Sequence, residues 1–188
     1  MPMYQKYRDS LIIPLRLIFV MWVLFCVQFF LGIDFSFLGI KPRTTYGLIG
    51  ILTSPLVHGD ANHILSNSLP FVILSASVFI FYNRIAKWVF FGCYFFTSML
   101  VWGLARGAFH HIGASGVIYA LAFFLIFFGF FRKDFRSLAV SILIVGLYGG
   151  LMYGVFPSRP GISWESHALG AVVGAILAFV YRKTKKLD

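Results

Sequence analysis

Ser115 stands in the string Gly113-Ala114-Ser115-Gly116, near the start of an uncharged run from Ile112 to Phe131 that is long enough to cross a bilayer. A hydroxyl at membrane depth is either a packing group or a nucleophile. Small neighbours serve both uses, because they let helices approach closely and let the backbone turn tightly beside a reacting group. Two further residue groups carry comparable chemistry. His63 and Asn67 are four apart, so on a helix they share one face about 6 Å from each other and can donate hydrogen bonds into one space. His167 is followed by Gly170, Gly174 and Ala178, a stripe of small residues that admits a second helix, and Gly116 and Ala120 offer the matching spacing. Contact between the two stripes brings Ser115 and His167 to similar depth.

The elements that must position these groups are membrane helices. The chain has 188 residues, of which 60% are hydrophobic, 19% aromatic and only 12% charged. A soluble domain carries about a quarter charged residues, so the bilayer is the solvent. Uncharged runs recur at Leu17 to Ile33, Ile64 to Asn83, Trp88 to Ala105, Ile112 to Phe131, Ser137 to Ser158 and Ser166 to Tyr181. They predict an all-α membrane protein of six transmembrane helices in one domain over residues 1–188, with a short N-terminal segment (about 1–13) and a basic tail (about 182–188). The shortest runs draw on Trp88, Trp102 and Trp164 as interfacial anchors. A further uncharged stretch, Thr44 to Gly59, is broken by Gly47, Gly50 and Pro55 and reads as an interfacial or partly embedded loop. Lys6, Arg8 and Arg16 precede the first run and no small-residue cleavage site follows it, which predicts a retained anchor.

The formal net charge of +10 is distributed unevenly. With the N-terminus inside, six-helix threading puts Lys6, Arg8, Arg16, Arg84, Lys87, Arg132, Lys133, Arg136, Arg182, Lys183, Lys185 and Lys186 on the cytoplasmic side. Only Lys41, Arg43, Arg106 and Arg159 fall outside. Twelve basic residues against four predict both termini in the cytoplasm and the site facing outward from a cell membrane. Membrane orientation accounts for the charge without a nucleic-acid partner, and the tail also suits anionic lipid. Cys26 and Cys93 lie within apolar spans and imply no disulfide framework.

In this threading all five histidines, His58, His63, His110, His111 and His167, reach outer helix ends or outer loops. Ser115 falls in the first turn of a helix whose N-terminus points outward, where unpaired N–H groups and the positive dipole end lie beside its hydroxyl. A serine, a base and two side-chain donors at one level point to acyl transfer, specifically hydrolysis. The histidines alone also suit metal or proton handling, although no cysteine joins them and the nearby carboxylates are Asp60 and Glu165. Glu165 either orients the His167 ring or, more simply, pairs with Arg159 or Arg106.

Three segments resemble the signatures of rhomboid intramembrane serine proteases. His58-Gly59-Asp60-Ala61-Asn62-His63-Ile64-Leu65-Ser66-Asn67 is similar to the family's second-helix motif, Gly113-Ala114-Ser115-Gly116 with Tyr119 to its nucleophile motif, and His167 with Gly170 and Gly174 to its sixth-helix motif. The resemblance implies a six-helix rhomboid-like bundle with a short, central fourth helix and a water-accessible cavity open to the outer side. It implies Ser115 as nucleophile and His167 as general base, with no obligatory carboxylate, cofactor or metal. His63 and Asn67 would supply oxyanion donors beside the Ser115 N–H, with Gly113 keeping the turn clear. Tyr119 would pack on the His167 ring, and His58 would order the first loop and the cavity. Substrates would be single-span or other transmembrane proteins; the alternative is a catalytically silent relative that binds membrane proteins uncut. One departure is plain: the Trp-Arg pair frequent in the family's first loop has no counterpart, since residues 34–57 contain no Trp.

Overall fold

The structure, a computed structural model, describes residues 3–157 and 163–184. Among them are six helices long and apolar enough to span a membrane: α1 (Met3–Leu31), α2 (Ala61–Phe81), α3 (Asn83–Leu104), α4 (Ser115–Arg132), α5 (Phe135–Tyr148) and α6 (Trp164–Tyr181). A 3-10 stretch, Gly149–Val155, completes the fifth span. Ser158, Arg159 and the Lys185-Lys186 tail lie outside the described residues.

Helix boundaries depart from the apolar runs for identifiable reasons. α1 starts well before Leu17, so the expected N-terminal segment is helical from Met3. Charged residues end an apolar stretch without ending a helix, and Pro14 is accommodated within it. α4 starts at Ser115, not Ile112, because the residues before it are held extended: Ile40 and His111 exchange backbone hydrogen bonds of 2.9 Å. Gly113 then turns the chain at φ +102°, a conformation suited to glycine. α5 gives up its α-helical pitch at the Gly149-Gly150 pair, two adjacent poor helix formers.

α4 is the centre of the bundle. In its spanning window 67% of residues are buried, against 11% for α1 and 17% for α5, which face lipid over most of their surfaces. Leu121, Phe124, Leu125 and Phe128 of α4 pack with Phe71, Leu74, Tyr82 and Phe90 of the α2–α3 side. Tyr82 meets Phe128 edge to face at 4.8 Å. On the other side α4 lies against α6. A Cβ on Gly170 would strike the Gly116 carbonyl, and one on Gly174 the Ala120 carbonyl, so the two stripes are in backbone contact. The α4–α5 corner is built by Lys133 in the left-handed conformation and by Asp134, whose carboxylate accepts from the Ser137 N–H at 3.0 Å.

The stretch between α1 and α2 forms short helical turns, Tyr46–Leu48, Gly50–Thr53 and Ser54–Leu56, too short together to span. Its anchoring replaces the missing Trp-Arg pair with residues from two segments. The Arg43 guanidinium caps the end of α3 through the Gly103 and Ala105 carbonyls (3.2 and 2.8 Å), and Trp102 of α3 donates its indole N–H to Thr44 O at 2.9 Å. From α1, Gln28 donates to His58 O at 3.1 Å and accepts from Phe35 N at 3.2 Å.

Candidate active site

The close approach of α4 and α6 sets Ser115 Oγ 2.9 Å from His167 Nε2. The other ring nitrogen, Nδ1, lies 3.0 Å from the Gly154 carbonyl oxygen. A carbonyl only accepts, so Nδ1 carries the proton and donates it to Gly154. In the neutral ring Nε2 is then the lone-pair nitrogen, and it accepts from the Ser115 hydroxyl. Tyr119, one turn along α4, lies flat against the imidazole with ring centroids 4.1 Å apart and planes 3° from parallel. His167 is buried and Ser115 half-buried.

The loop consumes backbone donors up to the serine and stops there. Gly113 N–H donates to Ser54 O at 2.9 Å and Ala114 N–H to His58 Nε2 at 3.3 Å. Ser115, Gly116 and Val117 occupy the first helical turn, where N–H groups have no intrahelical acceptor. His58 accepts because it is neutral: burial, followed by the charge of His63, pulls it down from the ordinary histidine value to about 3.

His63 stands over the turn before Ser115. Its ring meets His58 edge to face at 4.9 Å, and a Cβ on Gly113 would lie 2.5 Å from its Nε2. Asp60 fixes the start of α2 by accepting from His63 N–H at 2.9 Å. Asn67 is buried on the same face but donates one amide N–H to His63 O at 2.7 Å, which leaves one of its two free. Behind the Ser115 turn is a cavity of about 20 Å³, lined by Ser54, Thr97, Ser98, His111, Gly116 and Ser166 among others.

Glu165 is paired with Arg106 and not hydrogen-bonded to His167. Both its oxygens bind the Arg106 guanidinium, Oε2 at 3.1 Å from Nη2, so the carboxylate is the partner of Arg106. Of the pair His110-His111, only His111 is buried. Its Nε2 donates to Arg106 O at 3.0 Å and its Nδ1 accepts from Ser163 Oγ at 2.5 Å; Ser163 caps α6. Burial lowers its pKa. His110 sits beside Tyr46, with ring centroids 6.4 Å apart. Among the described residues, no three His, Cys, Asp or Glu are grouped to hold a metal ion.

Sequence reasoning missed three of these groups. Gly154 is one of four glycines on the fifth span, and its carbonyl leaves no trace in residue type. His111 and Ser163 are 52 residues apart, with no spacing to link them. Trp102 was visible as an interfacial anchor, yet its service to Thr44 depends on how α3 meets the loop.

Six apolar helices around a buried, hydrogen-bonded polar cluster define an integral, multi-pass membrane protein. The chain belongs to the rhomboid family, for the Rhomboid domain matches residues 46–184. It is similar to an uncharacterized protein of Mycobacterium tuberculosis, 29% identical over 150 residues that make up 76% of this chain and 62% of the relative. An uncharacterized protein of Mycobacterium leprae is 31% identical over 162 residues, 79% of this chain and 64% of its own length. The chain thus spans under two thirds of the curated relatives it matches.

Proposed function

We propose that this rhomboid-family protein is an intramembrane serine endopeptidase that cuts transmembrane proteins near the outer membrane face through a Ser115–His167 dyad. The observation that carries the reading is the 2.9 Å contact between Ser115 Oγ and a His167 Nε2 whose lone pair is left free by the bond from Nδ1 to Gly154. Ser115 Oγ attacks the carbonyl carbon of the scissile bond as Nε2 takes its proton. The oxyanion forms at the first turn of α4, beside the Ser115 N–H, with His63 and the remaining Asn67 N–H as side-chain donors. Loss of one such donor costs roughly 3 to 4 kcal/mol of transition-state stabilisation. The imidazolium protonates the leaving amine, and the peptide bond breaks to leave an ester on Ser115. His167 then deprotonates a water that attacks the ester, and the proton returns to Ser115 Oγ.

A helical peptide bond is shielded by its own hydrogen bonds, so the preferred substrate frays near the outer face at Gly, Pro or other weak helix formers. Leucines introduced around the cut are expected to slow cleavage. Purified protein in detergent is expected to label with a fluorophosphonate and to cleave a single-span substrate, and both activities are expected to vanish in Ser115→Ala. Cleavage that survives in that variant, or that responds to chelators and not to serine reagents, refutes the reading. Substrate capture without cleavage by the wild-type protein identifies a silent relative.

A further inference from the structure

The geometry points to the main-chain carbonyl of Gly154 as the positioning group for His167, which selects the tautomer that makes Nε2 a base. The inference rests on the protease reading of the Ser115–His167 pair. In a serine–histidine pair without a third side chain, nothing on the histidine's own helix decides which nitrogen holds the proton. The natural candidate, Glu165, is committed to Arg106. The Gly154 oxygen, 3.0 Å from Nδ1, is a pure acceptor and settles the matter from a different segment.

Two features show that this contact is built into the packing. A Cβ on Gly154 would collide with the Tyr119 hydroxyl and approach His167 Nδ1 to 3.4 Å, so only glycine brings its main chain this near the stacked rings. The segment also departs from the α-helix just where it meets the site. α5 is pinned midway along its length, where Ser141 Oγ donates to Ile126 O of α4. Between that contact and Gly154, Gly146 and Gly150 have nothing within 4 Å where a side chain would point, so the segment comes back to the site through Gly154 after a stretch of open flank. Seven residues of 3-10 geometry, Gly149–Val155, are long for that conformation and turn a carbonyl off the helix axis toward His167.

The test weakens the acceptor and leaves every side chain in place. Replacing Val155 with its α-hydroxy acid turns the 154–155 peptide into an ester, whose carbonyl accepts less strongly. The matched control places the ester one residue later, at Phe156. Nitrogen resonances of His167 in the full chain report the tautomer, and kcat and KM are measured on a single-span substrate. The wild-type ring should hold its proton on Nδ1. The Val155 ester should move part of the population to the Nε2–H form and lower kcat roughly tenfold with KM unchanged, as expected when a serine protease base loses its tautomer lock. The Phe156 ester should do neither. A wild-type ring protonated on Nε2, a tautomer that ignores the Val155 ester, or a shifted tautomer with unchanged kcat overturns the inference. A protein that neither labels nor cleaves, yet whose His167 spectrum answers the Val155 ester alone, overturns the protease reading and upholds the contact.

Discussion

Gly170 of α6 and Gly116 of α4 meet backbone to backbone, and their contact sets the distance between Ser115 and His167. The serine precedes Gly116 by one residue and the histidine precedes Gly170 by three, so any spacer between the helices acts on the dyad through a short lever. Gly170→Val is expected to abolish cleavage and fluorophosphonate labelling together, because the added carbon would occupy the place of the Gly116 carbonyl. Gly146→Ala is the counterpart. It meets nothing within 4 Å and replaces a poor helix former, so thermal stability should hold or rise while activity persists. Equal losses from both substitutions would show that helix spacing is not what Gly170 controls.

Glu165→Gln should retain cleavage to within a few-fold. The carboxylate binds Arg106, which is about half exposed, and an orienting role would instead require contact with His167. A loss comparable to that of His167→Ala would mean that Glu165 belongs to the catalytic machinery after all.

His58 makes stability depend on pH. Its folded value of about 3 lies below its ordinary 6.5, so between these limits the unfolded chain binds a proton that the folded one rejects. Stability is therefore complete above about pH 6.5 and falls as pH drops toward 3. His111, lowered by burial, adds to the same trend. In His58→Gln the amide oxygen can still accept from Ala114 N–H, but the titration is gone. The decline in melting temperature from pH 8 to pH 5 should shrink by more than about 3 °C, the shift that roughly 1 kcal/mol gives in a chain of this size. An unchanged decline would assign acid sensitivity to other groups.

The expected cytoplasmic placement of both termini is tested by a reporter fused after Asp188. A cytoplasmic signal agrees with twelve basic residues on one side and four on the other. A signal from the outer side would invert the site as well, since the first turn of α4 would then open toward the cytoplasm.

The spans were legible because a membrane forbids charge over about 20 residues, and this chain observes the rule six times. The meeting of α4 and α6 was legible because small residues four apart leave a groove at a predictable place. The start of α4 was legible only to within a turn, since the uncharged run continues without a break through Ile112 to Ala114. They are held out of the helix by Ser54 and His58, with Ile40 holding His111 just before them, at sequence distances that leave no periodic signal. Loop anchoring was obscured for a related reason. The Trp-Arg pair frequent in the family belongs to one loop, whereas Arg43 and Trp102 are joined only where the loop crosses the end of α3.

Residue types and spacing by themselves determined that this is a six-span membrane protein and that Ser115, His63, Asn67 and His167 share one end of it. Those properties follow from hydropathy and helical period, which act locally along the chain. Tertiary structure alone decided the protonation geometry of His167, the commitment of Glu165 to Arg106 and the pairing of His111 with Ser163. Hydrogen bonds such as that from His167 Nδ1 to Gly154 depend on distances of about 3 Å between separate segments. A main-chain carbonyl has no residue type to betray it, so only the folded chain could show that it faces the base.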